Sequence, residues 1–361
     1  MLSPGPLAVN PTPTLHDVAR LAGVNEATVS RAFSRRAPVA AKTRERIFEA
    51  ARRVGYRPSM AARMTRTGRS GLIGVVRSPV GGHSVDHPSF LLGLGGELHR
   101  RGLCPVGDVL SVPGDPDMDP AAPAPAVPRI IREHLADGFL INYAFGMPEA
   151  AERLLSGSGV PAIWINQLRE QNCVRPDDRG AAAEATAYLL GRGCRDIAYV
   201  AAPASSSSAG ASRAEHFSRA ARERGYRDAM SAAGVPARVE ALPPLPPAGA
   251  YERRLGHVLR SHVALLSRRD RPEAVLCEAD GRVMLAAASE AGLRVPGELA
   301  VFGIDNDPGG DVRIAMDRLV VPFWAMGRSA VEEVCGLIEE PDRPRPPVVL
   351  PFEFHRAGTV A

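Results

Sequence analysis

Residues Thr14–Ser34, TLHDVARLAGVNEATVSRAFS, decide how this chain is read. They spell two short helices separated by a tight turn. Thr14 can cap the first helix while Asp17, three residues on, returns a carboxylate toward the exposed amides. Leu15, Val18, Ala19 and Ala22 then share one face, and Gly23 supplies the left-handed position that ends the helix. Asn25 caps the next helix, whose Val29 and Phe33 point inward. A third helix follows in AAKTRERIFEAARRVGY (40–56), with Ile47, Ala50, Ala51 and Val54 at helical spacing and Gly55 as its stop. Three helices of this length bury little apolar area, so they make a small domain of modest stability.

Two helices joined by a glycine-containing turn let the second lie in the major groove of DNA, with its N-terminal residues at base edges. The side of that helix opposite Val29 and Phe33 carries Asn25, Glu26, Ala27, Ser30 and Arg31, with Thr28 in its first turn. Glu26 can accept from a cytosine amino group, Ala27 can touch a thymine methyl, and Arg31 can bind guanine or a phosphate. The alternative is an ordinary helical hairpin whose polar face is merely solvated. Charge favours DNA. Residues 14–70 hold thirteen Lys/Arg against four Asp/Glu, whereas the rest of the chain holds 31 basic and 36 acidic residues. An anion-binding head on a slightly acidic body is the expected pattern for a nucleic-acid partner.

At 361 residues the chain is long enough for two or three domains, and 45% hydrophobic with 23% charged residues excludes a disordered polypeptide. No stretch reaches the length of uncharged apolar residues that a membrane span needs. The start, MLSPGPLAVNPTPT, lacks the basic and apolar regions of an export signal, and residues 1–12 read as a disordered leader. Cys104, Cys173, Cys194, Cys277 and Cys335 are odd in number and widely spaced, which suggests neither a disulfide framework nor a zinc site. The expected location is the cytoplasm, in association with the nucleoid.

From Leu72 onward the grammar changes. Short apolar runs (LIGVV at 72–76, GFLIN near Phe139, PAIWIN near Ile163, DIAYVAA near Ile197, EAVLCE near Val275 and LAVFGID near Val301) alternate with helical stretches such as 181–190 and 282–291. That alternation predicts an α/β body of parallel sheets flanked by helices, with ligands beyond the carboxyl ends of the strands. Two proline-rich stretches, Pro113–Pro128 and Pro243–Pro247, are expected as long surface loops.

The residues TLHDVARLAGVNEATVSRAFS, then VAAKTRERIFEAARRVGYRPS, then RTGRSGLIGVV, resemble the LacI/GalR family of bacterial transcriptional repressors, nearly ungapped over Pro13–Val76. The resemblance implies a helix-turn-helix headpiece at 13–58 and a hinge helix at 59–70 that orders on DNA. It further implies a type I periplasmic-binding-protein-like core at 71–361 that forms a homodimer. The N-subdomain is expected mainly at 71–175 and the C-subdomain mainly at 176–305, with the chain crossing back near 306–335. The family's recognition residues correspond to Asn25, Glu26, Ala27, Ser30 and Arg31, and its backbone contacts to Thr14, Leu15, Thr43, Tyr56 and Ser59. In the hinge, Thr65 stands where the family has a leucine that wedges into the minor groove, preceded by Met64. Arg63, Arg66 and Arg69 can contact phosphates there. Thr65 is short and partly polar, so it should unstack bases poorly.

In the core, Arg222 opens a motif that resembles the family's Arg-x-x-Gly-aromatic, where the arginine reaches an effector. Asp305 matches a carboxylate placed on effector hydroxyls. Phe90 and Phe323 match apolar lining positions, with Trp324 beside the latter, and Asp177 and Asp178 match a carboxylate at the start of a helix, where helix capping is an equal explanation. The family's Asn-Asp pair corresponds to Ala279 and Asp280, or without a gap to Cys277 and Glu278. An arginine facing a carboxylate suits a polyhydroxylated or partly anionic small molecule, sugar-like or nucleoside-like.

Patterns for catalysis, cofactors or metals do not emerge. GLGGEL at 93–98 lacks the Lys-Ser/Thr of a phosphate loop, and Asp115, Asp117 and Asp119 are followed by Pro120 where a calcium loop needs glycine. Ser205–Ser208 have no histidine close in sequence, and the histidines show no metal spacing. The expectation is therefore a regulator of a pseudo-palindromic double-stranded operator with a small-molecule effector and no cofactor. Its rivals are a solute-binding protein and an α/β enzyme carrying a fused helical domain.

Overall fold

The computed structural model describes residues 13–33, 38–57, 64, 68–77, 87–109, 129–133, 135–142, 149–157, 159–201, 216–243, 251–278, 281–305 and 315–361. They fall into two units, Met1–Leu72 and Ile73–Ala361. In the first, α1 (Leu15–Ala22), α2 (Glu26–Phe33) and α3 (Ala41–Val54) surround one small core. Val18, Ala19, Ala22, Val29, Ala32, Ile47, Ala50 and Ala51 are its buried members, with Phe33 packed on Phe48 and Tyr56 at its margin. Gly23 (φ 60°) and Gly55 (φ 70°) end α1 and α3 in the left-handed conformation that a side chain disfavours.

The second unit holds two sheets. The first has the order β11-β5-β4-β3-β1-β2 and is built from β1 (Leu72–Arg77), β2 (Cys104–Val109), β3 (Gly138–Asn142), β4 (Ala162–Ile165), β5 (Cys173–Pro176) and β11 (Val348–Leu350). The second has the order β12-β10-β9-β8-β6-β7, built from β6 (Ile197–Ala201), β7 (Arg238–Ala241), β8 (Ala274–Cys277), β9 (Ala300–Asp305), β10 (Asp317–Val320) and β12 (Glu353–His355). Leaving out β11 and β12, each sheet repeats one winding, with its second strand outermost beside its first. The recorded pairings are parallel except β10 with β12. Each sheet therefore has a switch point, between β1 and β3 and between β6 and β8, and folds of this kind receive ligands at the carboxyl ends of the strands there.

The chain passes between the sheets three times. It leaves the first after β5, returns after β10 through α11 (Phe323–Glu339), and leaves again after β11 to place β12 in the second. Helix pairs cover the sheets at close range. On the first, α4 (Pro88–Arg101) crosses α11; on the second, α7 (Asp178–Gly191) crosses α8 (Phe217–Ala232). Glycine makes both crossings possible. A Cβ at Gly93 would land on the Trp324 carbonyl, one at Gly327 on the Phe90 carbonyl, and one at Gly225 on the Arg179 carbonyl. The glycines of GLGGEL thus belong to a helix, where Gly93 serves packing. The short α5 (Arg129–Arg132), α6 (Glu149–Gly157), α9 (Tyr251–Leu266) and α10 (Gly281–Glu290) complete the helices described. The proline-rich stretch at 113–128, most of that at 243–247, and Ser205–Ser208 lie outside the described residues.

Candidate nucleic-acid interface and ligand cleft

The start of α1 is held by reciprocal side-chain bonds. The Thr14 backbone N–H and hydroxyl donate to Asp17 Oδ2 at 2.9 and 2.7 Å, and the Asp17 N–H returns a 3.4 Å bond to Thr14 Oγ1. These donors hold the Asp17 carboxyl below its usual range. Asn25 Oδ1 accepts from the Thr28 N–H and hydroxyl, each at 2.7 Å, and so caps α2. Because Val29 and Ala32 are buried, α2 turns Glu26, Ala27 and Arg31 outward, with Ser30 half-buried beside them.

Two of the outward groups already have partners on the protein. Glu26 Oε1 meets His16 Nδ1 of α1 at 2.9 Å, and Arg31 folds back with Nε 3.3 Å from the Ala27 carbonyl and Nη2 3.4 Å from Thr28 Oγ1. Thr14 is exposed, Leu15 and Thr43 are half-buried, and the Tyr56 ring packs on Phe33 at 5.6 Å. Met64 is exposed, whereas Ser59, Arg63 and Thr65 lie outside the described residues. The spacing of α1 and α2 showed the outward face, but the His16 partner of Glu26 was not read from sequence.

In the core, Arg222 sits on α8 where its close crossing with α7 brings it to Asp178. Arg222 Nε donates to Asp178 Oδ1 at 2.7 Å, and Arg222 Nη1 stands 3.7 Å from Glu278 Oε1. Arg219 Nε lies 3.9 Å from the other oxygen of Glu278. These groups are withdrawn from solvent: the side chains of Asp178, Glu278 and Arg222 are 1%, 6% and 11% exposed. Phe352, in the passage between β11 and β12, places its ring 5.7 Å from the Arg222 guanidinium. Tyr199 on β6 is fully buried, and burial, then the Glu278 charge, pushes its phenol up. His216 caps α8 and reaches the carbonyl of Asn166, beyond β4 of the other sheet, through Nε2 at 3.0 Å. The Ser218 N–H donates to His216 Nδ1, so Nε2 carries the proton, and burial pushes the imidazole down.

The other residues singled out in the core have different surroundings. Asp305 ends β9, with Oδ2 3.7 Å from Arg318 Nη1. Asp177 is the cap of α7, accepting from the Gly180 N–H at 3.0 Å, and the buried carboxylate that meets Arg222 is its neighbour Asp178. Phe90 is fully buried in the hydrophobic core, where α4 crosses α11 at Gly327. His87 stacks on Phe323 instead, with ring centroids 4.2 Å apart, while Trp324 is 51% exposed beside Arg328. Asp280 lies outside the described residues. Sequence reading missed Arg219, Tyr199 and His216, which are split between β6 and the start of α8 and carry no common motif.

Among the described residues no helix is long and apolar enough to cross a membrane. Comparison with known proteins matches residues 14–59 to the pattern described as "Bacterial regulatory proteins, lacI family" and residues 186–359 to a periplasmic binding protein-like domain. The HTH-type transcriptional regulator GntR of Pseudomonas aeruginosa is 30% identical over 345 residues, covering 90% of this chain and 89% of that protein. The HTH-type transcriptional repressor PurR of Vibrio campbellii is 25% identical over 305 residues, covering 81% and 82%. Among solved structures, the lac repressor dimer bound to operator and the anti-inducer ONPF superposes with a TM-score of 0.67 at 21% identity, covering 97% of this chain and 100% of that one. With a capped helix-turn-helix ahead of two repeated α/β sheets, and a relative of this similarity along nearly its whole length, the chain belongs to the lacI family of bacterial regulatory proteins and is a transcriptional regulator.

Proposed function

We propose that this regulator binds a pseudo-palindromic DNA operator as a homodimer in the cytoplasm and represses transcription, with a small molecule held between the core sheets setting its affinity for DNA. The observation that carries this reading is the outward face of α2, where Glu26, Ala27 and Arg31 project from a helix anchored by Val29 and Ala32. In this reading residues 13–58 are the headpiece, 59–70 the hinge and 71–361 the core. Asn25, Glu26, Ala27, Thr28, Ser30 and Arg31 face bases; Thr14, Leu15, Thr43, Tyr56, Ser59 and Arg63 face the backbone; Met64 and Thr65 meet the minor groove.

The ligand cleft lies at the carboxyl ends of the strands, around Arg222, Asp305, Phe323 and Trp324, with Asp177 at its rim, and Asp280 is assigned to the ligand by resemblance alone. A ligand changes DNA affinity only as far as it prefers one arrangement of the two sheets, typically by ~1 to 3 kcal/mol. Arg222 and the carboxylates beside it offer hydrogen bonds suited to holding a ligand, and the relatives named as transcriptional regulators favour a regulator over an enzyme. Selection from random duplexes of ~25 base pairs, long enough for two half-sites about one turn apart, tests the reading. Recovery of a pseudo-palindrome supports it; recovery of no motif at any ligand condition overturns it.

A further inference from the structure

Glu278 is the first residue beyond β8, and its backbone N–H donates to the Val200 carbonyl of β6 at 3.0 Å. The pairing of β6 with β8 is the switch point of the second sheet, so Glu278 is fixed at the place where such a fold receives a ligand. Its carboxylate turns into the sheet edge rather than to water and faces two arginines at once: Oε1 toward Arg222 and Oε2 toward Arg219. At 3.7 and 3.9 Å neither approach is a hydrogen bond. Arg222 therefore spends Nε on Asp178 but donates neither Nη to a described residue.

We propose that Glu278 is a specificity-determining residue of this cleft: its carboxylate stands where an anionic ligand would sit, so the cleft admits uncharged hydrogen-bonding groups to Arg222 and rejects a carboxylate or phosphate. The charge balance supplies the reason. Asp178 and Glu278 offset Arg222 and Arg219, and His216 beside them is held toward its neutral form by burial. Asp305 and Arg318 form a further opposed pair at the end of β9 and the start of β10. A second anion before Arg222 would bring net negative charge into a buried site already neutral, where repulsion is weakly screened. A hydroxyl brings no charge and can accept from an Arg222 Nη while donating to Asp178 Oδ2, which is buried and has no hydrogen-bond partner among the described residues.

The inference rests on the reading of this cleft as a ligand site, and inorganic phosphate is the probe that tests it without knowledge of the ligand. Calorimetric titration of phosphate into the full-length protein should show at least tenfold tighter saturable binding for Glu278→Gln than for wild type. Glu278→Ala should behave alike, which guards against a fault peculiar to one variant. Adding Arg222→Gln should abolish the gain, separating it from phosphate held by the arginine-rich headpiece. Equal phosphate binding by wild type and both Glu278 variants, or a gain that survives Arg222→Gln, overturns the proposal. The ligand-site reading fails by a different result: no neutral metabolite in a broad panel alters operator affinity of the wild type, whatever phosphate does in the variants.

Discussion

Arg222 Nε and Asp178 Oδ1 lie 2.7 Å apart, and with their side chains 11% and 1% exposed the pair is shielded from water. The residues are 44 positions apart in sequence. What joins them is the crossing of α7 and α8, which approach closely because Gly225 leaves room for the Arg179 carbonyl. Removing one member of a buried pair strands the other charge, a loss of about 3 to 5 kcal/mol in comparable cases. Glu278 still faces Arg222, so Asp178→Ala should fall at the lower end, about 3 kcal/mol. Replacing both, as in Asp178→Leu with Arg222→Met, should cost less than the single change. Denaturant midpoints of the two variants check this, and a double variant less stable than Asp178→Ala would refute it.

Much of the headpiece could be read directly from sequence because its determinants are local. Thr14 and Asp17 bond each other across three residues, and Gly23 and Gly55 adopt the left-handed conformation that ends their helices. The alternation of apolar runs and helices likewise foretold parallel sheets flanked by helices, and the resemblance implied that there are two of them. The cleft was harder. Arg222 was recognisable by its motif, but Asp177 and Asp178 were legible only as carboxylates at a helix start, and nothing local tells which caps α7 and which meets an arginine 44 residues away. Phe90 is a lining candidate by resemblance only; that its side chain is fully buried follows from the crossing of α4 with α11, which no local pattern records.

That crossing yields a steric prediction. Gly93→Ala would drive a methyl onto the Trp324 carbonyl, and Gly327→Ala would do the same to the Phe90 carbonyl. Backbone cannot yield as a flexible side chain can, so each change should destabilise the core by about 1 to 3 kcal/mol, as overpacking does. Gly95→Ala and Gly96→Ala serve as controls, since no described residue lies within 4 Å of either added carbon, and alanine favours the helix. Thermal unfolding of the four variants should separate them into two groups.

His262 gives the core an acid sensitivity. It is fully buried on α9, with Nδ1 3.3 Å from the Val258 carbonyl and Nε2 without a hydrogen-bond partner among the described residues. Burial lowers its pKa from 6.5 to about 4. Protonation would place a hydrogen on Nε2 where no described residue accepts it. The folded state thus binds the proton less readily than the unfolded chain, so the contribution is fully present above about pH 6.5 and lost as pH falls toward 4. Its full extent is roughly 3 kcal/mol. His262→Leu should flatten the stability profile between pH 6.5 and 4 in denaturant titrations. A slope there unchanged from wild type would refute the assignment.

Arg31 is the residue on which the DNA reading can be tested most sharply. Its contacts on the protein are long, 3.3 Å to the Ala27 carbonyl and 3.4 Å to Thr28 Oγ1, and the side chain is exposed, so little is lost in releasing it to DNA. The two roles open to it differ in their signature. An arginine paired with guanine sets base preference, and its loss costs ~1 to 3 kcal/mol at that base pair; an arginine on a phosphate weakens all sequences alike and reduces the salt slope by about 0.9. Its position on the outward face of α2 favours the first. Arg31→Ala should therefore lose about tenfold or more on the selected operator, lose much less on an operator altered at the contacted base pair, and keep most of the wild-type salt dependence. Binding isotherms on both duplexes between 50 and 200 mM salt measure these quantities together, with the salt range chosen because phosphate contacts weaken steeply across it. Equal losses on both duplexes with a shallower slope would assign Arg31 to the backbone and leave base recognition to Glu26 and Ala27. Wild-type affinity throughout would remove this face of α2 from the interface.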